Sequence, residues 1–285
     1  MGFFNQVKTV LLLGALTGLL LFIGNLLGGM QGLTIAFLFS VLMNVGMYWF
    51  SDKIVLMMYR AREATKKDYP EYHAMIEDIC KKAGLPKPKL YIVPSTTPNA
   101  FATGRSPKHA AVACTEGILQ LLNKEELRGV LSHEMSHVKN RDILITTIAA
   151  TIAGVISYVA MMARWAAIFG GMGGRDNNGR GNILGFLVIA ILAPIIALIL
   201  QLAISRSREY LADHTGAKLI KNPLPLADAL QKLETANKHH PMKFGNPATS
   251  SLFIVNPFSG RALLQLFSTH PPLAERVRRL REMRV

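Results

Sequence analysis

Four long apolar stretches constrain this chain more than anything else in it: residues 10–29, 33–50, 143–162 and 183–204. Each approaches the ~20 residues that carry a helix across a ~30 Å hydrocarbon core. The third and fourth contain no Asp, Glu, Lys or Arg at all. A cleaved signal peptide would explain the first stretch alone, but it has no clear small-residue cleavage site and a second apolar run follows at once. Two membrane hairpins are the expectation. Composition agrees, since half of the 285 residues are hydrophobic and the mean hydropathy is positive at +0.27, values unusual for a water-soluble globule.

Charge sets the sidedness. The link around residues 25–32 is uncharged, whereas Lys53, Arg60, Arg62, Lys66 and Lys67 follow the second stretch. By the positive-inside rule residues 51–142 face the cytoplasm. Two further crossings return the chain there, so 205–285 joins 51–142 on one side. The expected organisation is a transmembrane hairpin at 1–50, the first part of a cytoplasmic domain at 51–142, a second hairpin at 143–204 with a Gly-rich external link, and the second part of that domain at 205–285. The excess of 32 Lys and Arg over 18 Asp and Glu is interleaved with apolar runs and has no aromatic-basic motif. That pattern suits a lipid bilayer with anionic headgroups and predicts no nucleic-acid partner. Arg276, Arg278, Arg279, Arg281 and Arg284 are expected to face those headgroups. Cys80 and Cys114 lie far apart without CxxC spacing, which predicts reduced thiols.

Within the soluble parts, residues 68–84 read as a helix closed by Gly84, and 89–93, 99–103 and 110–114 as short strands. Asn123 with Glu126 is a capping-box pattern that starts a helix running to about Lys139. Helices are expected near 206–220, near 226–238 and after Pro271-Pro272.

The capped helix contains His133-Glu134-Met135-Ser136-His137. Four residues are about one turn, so both imidazoles can reach one ion. Leu127, Val130, Leu131, Met135 and Val138 form an apolar sector into which Glu134 projects. A carboxylate there is costly without a partner, and a helix that merely contained two histidines would keep Glu134 on its polar face. Two neutral imidazoles and one carboxylate suit zinc, with a position open for a water whose pKa falls toward ~7. Glu134 is then the general base.

The third ligand is not a histidine of the extended HExxHxxGxxH pattern, because Asn140 and Ile143 occupy those positions. Nor is it a glutamate some 20 residues on, since no acid occurs between Asp142 and Asp176, and Asp176 falls on the opposite side of the membrane. Glu209, Asp213 and later acids or histidines remain, and the first two are four apart on one expected helix. One would bind zinc and the other would support a ligand histidine; the alternative for Glu209 is a surface acid paired with Arg206 or Arg208. Spacing alone leaves this open.

The strings Asn99-Ala100-Phe101-Ala102-Thr103-Gly104, Leu131 to His137, Ser207-Arg208-Glu209-Tyr210-Leu211-Ala212-Asp213 and Ser268-Thr269-His270-Pro271-Pro272 closely resemble the HtpX family of membrane zinc metalloproteases, relatives of the prenyl-protein CAAX endopeptidases. The resemblance covers essentially the whole chain. It implies an α+β, mainly helical fold: a gluzincin-type zinc metalloprotease domain with a small β-sheet, plus four transmembrane helices. It implies one Zn²⁺ per chain held by His133, His137 and Glu209, with Glu134 as base and Asp213 behind the ligands. It also implies proteolysis of misfolded or damaged membrane proteins at the cytoplasmic face of a bacterial inner membrane.

Two further expectations attach to residues. Asn99, Ala100 and Phe101 form a strand able to pair with an extended substrate backbone, the alternative being an interior strand. His270 is a candidate catalytic donor to the tetrahedral intermediate, or else a helix-start residue. Competing functions are maturation of a specific peptide or lipidated precursor, and a non-catalytic zinc-binding scaffold. Glu134 argues against the scaffold, which would need ligands only. A transporter is disfavoured by the absence of ionisable residues in the third and fourth stretches.

Overall fold

The computed structural model describes residues 2–149, 151–152, 206–242, 244, 247–258 and 271–285. The helical run α1 (Gly2–Met58) breaks at Gly28 and Gly29. Gly29 has φ 54° and ψ −136°, a backbone that glycine alone adopts readily. The chain doubles back there. Asn44 Nδ2 donates to Thr17 Oγ1 at 2.9 Å, and a Cβ on Gly24 would come within 2.5 Å of the Gly32 carbonyl oxygen. The expected first two stretches thus form a helical hairpin. Among the described residues one helix, Gly28–Met58, is long and apolar enough to cross a membrane. Its large exposed apolar side chains run from Met30 to Phe50, with Met57 beyond, whereas Ser51, Val55, Leu56 and Tyr59 are buried. Of the third expected stretch only the start, to residue 152, is described, and the fourth lies outside the described residues.

After α1 come β1 (Arg62–Glu63), α2 (Pro70–Ala83), β2 (Lys89–Val93), β3 (Ala100–Gly104), β4 (Ala110–Thr115), α3 (Glu116–Leu121) and α4 (Lys124–Asn140). The later part supplies α5 (Arg206–Ile220), α6 (Leu224–His239) and α7 (Leu273–Glu282). The fold is mainly helical with a small mixed sheet, as expected. The two-residue β1, too short to show a period, is an addition. Strand order is β1-β2-β4-β3, with β2 and β4 parallel and β3 antiparallel to β4, Phe101 opposite Ala113. β3 is therefore an edge strand.

Alternation sends successive side chains to opposite faces. Ala100, Ala102, Val112 and Cys114 point to a core shared with Tyr72, Ile76 and Ile79 of α2, Leu127, Leu131 and Met135 of α4, and Leu226, Leu230 and Leu233 of α6. Phe101, Ala111 and Ala113 point the other way, under Val55 of α1, Tyr59 just past its end, and Phe253. Each large side chain so buried contributes ~1.5–3 kcal/mol. The membrane helix is thereby part of the sheet's second core. Both cysteines are free and buried, and burial pushes the Cys80 thiol up to about 11 and that of Cys114 to about 12.

α4 is fixed at both ends. Asn123 Oδ1 accepts from the Glu126 N–H at 2.9 Å, and Glu126 Oε2 accepts from the Asn123 N–H at 3.0 Å, a reciprocal cap in which the Asn side chain alone contributes ~1 kcal/mol. Arg141, at φ 58°, closes the helix with its N–H on the His137 and Val138 carbonyls. α5 packs directly on α4, because at Gly216 a Cβ would lie 3.0 Å from the backbone nitrogen of His133.

Candidate metal centre and catalytic site

The apolar sector expected of α4 is buried as a unit, and Glu134 goes into it at 2% exposure. His133 and His137 turn their Nε2 atoms toward each other, 3.1 Å apart. Across from them α5 presents Glu209, with Oε2 3.6 Å from His133 Nε2 and Oε1 3.6 Å from His137 Nε2. One ligand atom from each of the three lies within 4.8 Å of the others. The close helix contact at Gly216 makes this possible, about two turns beyond Glu209 on α5.

The opposite nitrogens of the two rings decide whether this group fits a cation. His133 Nδ1 is 2.9 Å from Asp213 Oδ1, and His137 Nδ1 is 3.1 Å from Asp142 Oδ2. A carboxylate accepts a hydrogen bond, so each ring carries its proton on Nδ1 and leaves an Nε2 lone pair facing the other. Two lone pairs and a carboxylate converging in a buried space repel unless a positive charge lies among them. The donor set therefore fits a divalent ion, and two imidazoles with one carboxylate is a zinc set.

The electrostatics agree. Burial holds His133 below the ordinary imidazole range despite Asp213. For His137 burial acts the same way, but Asp142, Glu209 and Glu134 outweigh it and push the ring up to about 10. A cation among the three ligands supplies the same positive charge in place of that proton. Burial raises Glu134 to about 7, assisted by Glu209 and opposed by His137 and a hydrogen bond from the Ala102 backbone. Glu134 thus lies between the metal cluster and the edge strand β3.

Asp142 and Arg276 are the two members the sequence reading missed. Asp142 is 1% exposed and sits just past Arg141, the residue that closes α4, immediately before the apolar run. A charge at that junction is the signal that could have marked it. Arg276 corrects an expectation: it does not face lipid headgroups but is 1% exposed. Its Nε and Nη2 donate to the two Asp213 oxygens at 2.9 and 2.7 Å, and Nη1 donates to the Ile254 carbonyl at 2.9 Å. Burial opposes the charge of Asp213, but Arg276 and the His133 hydrogen bond hold that carboxyl far below the usual range. On a helical wheel Arg276 falls among Leu273, Val277 and Leu280, the face that packs inward; its basic neighbours do not. Arg278 pairs with Glu275 and Glu282, and Arg279 pairs with Glu275 and stacks on Tyr210.

Of the expected substrate strand, Asn99, Ala100 and Phe101 are all buried. Asn99 Nδ2 donates to the Val255 carbonyl at 2.6 Å, the Ala100 carbonyl accepts from the Ile254 N–H at 3.3 Å, and Phe101 packs on Tyr59 and Phe253. His270 lies outside the described residues.

The model of peptidase family M48 matches residues 66–284. A protein named "Protease HtpX homolog" from Syntrophobacter fumaroxidans is 54% identical over 280 residues, covering 98% of this chain and 99% of that one. A namesake from Syntrophotalea carbinolica is 57% identical over 281 residues, covering 99% of each. Another from Pyrococcus furiosus is 54% identical over 283 residues, covering 99% of this chain and 97% of its own. Among solved structures, S. mikatae Ste24p shares the fold at a TM-score of 0.51 with 19% identity, covering 98% of this chain and 66% of that one.

Proposed function

The chain belongs to peptidase family M48 as a membrane zinc metalloprotease, and from that premise we propose that it is a four-span endopeptidase cutting misfolded or damaged membrane proteins at the cytoplasmic face of the cell membrane, the inner one in a bacterium. The observation that carries this reading is the division of labour on α4. Both histidines are oriented from behind by carboxylates, while Glu134, on the same turn, is buried without being one of the three clustered ligands. A scaffold that only held zinc would have no use for it.

His133, His137 and Glu209 would hold the ion, which when bound supplies an electrophile for the peptide carbonyl and lowers the pKa of the attacking water. Glu134, buried beside the three ligands, accepts the proton of that water and delivers it to the leaving amine nitrogen. Asp213 and Asp142 keep the proton on Nδ1 of each ring, so that both Nε2 atoms stay basic. Arg276 neutralises Asp213 and holds its carboxylate in place. The substrate backbone meets β3 at Ala102, beside Glu134, with Asn99, Ala100 and Phe101 fixing the strand. His270 donates to the oxygen of the tetrahedral intermediate.

Sidedness rests on the positive charge that follows residue 50, and four spans on the apolar stretches. The test is cleavage in proteoliposomes of a membrane protein carrying a destabilised span, with protease sites oriented outward. The reading expects fragments cut in the loops of the destabilised protein and at least tenfold fewer from its stable parent. Equal cutting of both removes the quality-control reading, and cleavage of a single lipidated peptide alone favours maturation.

A further inference from the structure

The apolar surface of α1 ends in an aromatic pair, Tyr48 and Trp49, which are 41% and 48% exposed and meet edge to face at 5.5 Å. Tyr and Trp at the end of a span mark the level of the headgroups. Two contacts tie the soluble domain to that level, and a third links those two. The Arg105 guanidinium lies 4.4 Å over the Trp49 ring. Thr151 Oγ1 reaches the Ser51 carbonyl at 3.4 Å. Thr147 Oγ1 meets Thr103 Oγ1 at 3.0 Å and accepts from the Gly104 N–H at 3.3 Å. Gly104 has φ +132°, and a Cβ there would come within 2.3 Å of the His109 carbonyl oxygen, so the turn that delivers Arg105 to Trp49 needs a glycine. Lys108 and His109 at the tip are exposed, and Lys53 sits over Phe50. Anionic headgroups are the complement of this rim.

Two chain segments measure the distance from this rim to the reacting groups. Along β3, Ala102 beside Glu134 is three residues from Arg105, at most about 10 Å at a strand's rise. Along the helix that follows α4, Asp142 behind His137 is nine residues from Thr151, at most about 14 Å at a helix's rise. The two paths run through different elements, and both cap the gap at about 14 Å or less. An extended substrate covers ~3.3 Å per residue, so this gap is about three or four residues of chain.

Resting on the membrane-protease reading above, we infer that the catalytic centre is held against the headgroup layer by the Trp49–Arg105 contact, so that the enzyme cuts membrane proteins within the first few residues of a loop as it leaves the bilayer. Its substrate class is the juxtamembrane segment, and the middle of a long loop is a poor site even when unfolded.

The experiment uses the full-length enzyme in vesicles containing phosphatidylglycerol, with a single-span reporter whose extramembrane segment repeats one uncharged cleavable sequence. Cut positions are mapped by mass spectrometry, and casein hydrolysis in detergent is measured on the same preparation. The expected result is cutting concentrated about three to six residues from the span, at least tenfold over positions beyond about fifteen, as the spacing above implies. Trp49→Ala combined with Arg105→Glu is expected to spread the cuts along the segment at an unchanged casein rate. Uniform or distal cutting by the unaltered enzyme with normal casein hydrolysis overturns the inference while leaving the protease reading intact. Loss of casein hydrolysis in the unaltered enzyme overturns that reading itself. A double variant with normal casein hydrolysis and an unspread pattern overturns the role of the Trp49–Arg105 contact.

Discussion

Replacing Arg276 with methionine keeps most of the side chain's volume and removes its charge. The guanidinium makes two charge-assisted bonds to Asp213 and one to the Ile254 carbonyl at 1% exposure. What remains is a buried carboxylate whose partner among the described residues is His133 Nδ1. Removing one partner of a buried ion pair costs ~3–5 kcal/mol, a large share of a total stability of ~5–15 kcal/mol. For a chain of this size that is a fall in melting temperature on the order of 5–15 °C. The zinc site suffers as well, because Asp213 no longer holds the His133 ring in one orientation, and losing such support weakens metal binding ~10–100-fold. Arg276→Lys restores the charge without the fork, so it recovers part of both losses. The assay is thermal unfolding in detergent alongside zinc competition with a calibrated chelator. If Arg276→Met melted within ~2 °C of the parent and held zinc within twofold, the buried Asp213–Arg276 pair would not support the site, and the reasoning would fail.

Other consequences follow from the same geometry. Asp142→Ala removes the acceptor for His137 Nδ1 and is expected to weaken zinc ~10–100-fold with little change in helix content by circular dichroism; unchanged affinity would show that His137 needs no support. Gly216→Val puts a branched side chain where even a Cβ lies 3.0 Å from His133 N; forcing α5 off α4 should cost ~1–3 kcal/mol and remove zinc from the purified protein, whereas full zinc content would mean that Glu209 is not placed by this contact. Stripping the metal with a chelator should lower stability by the ~2.7 kcal/mol that a ligand at a hundredfold its Kd contributes, seen as a reversible fall in unfolding temperature that zinc alone restores; no shift would mean that the cluster does not hold a metal in the folded protein.

Local signals carried much of the site. The capping box, the apolar sector of α4 and the HExxH spacing each act within one helix, and the structure shows the capped, buried helix they describe. Glu209 was harder, because bringing α5 against α4 depends on a glycine contact across a long insertion, and spacing alone did not separate it from Asp213. Position relative to the ring nitrogens separates them, since Glu209 faces both Nε2 atoms and Asp213 faces Nδ1. Arg276 was misread because charge dominated the view of α7, although its place among Leu273, Val277 and Leu280 puts it on the inward face. A buried arginine is stable there only because a buried carboxylate waits for it, and no single helix shows both. Asp142 escaped for a similar reason: it reads as the last charge before an apolar run until His137 is seen to turn toward it. The tie between Arg105 and Trp49 joins residues 56 positions apart and had no local sign.

The central claim is that His133, His137 and Glu209 bind the metal while Glu134 works on the substrate. The measurement is zinc content and casein cleavage on one preparation of Glu134→Gln, which keeps the shape of the side chain and loses its basicity. The account predicts one zinc per chain, as in the parent, with cleavage reduced by at least ~10²–10⁴-fold. Cleavage at the parental rate with zinc bound, or loss of the zinc itself, would contradict it.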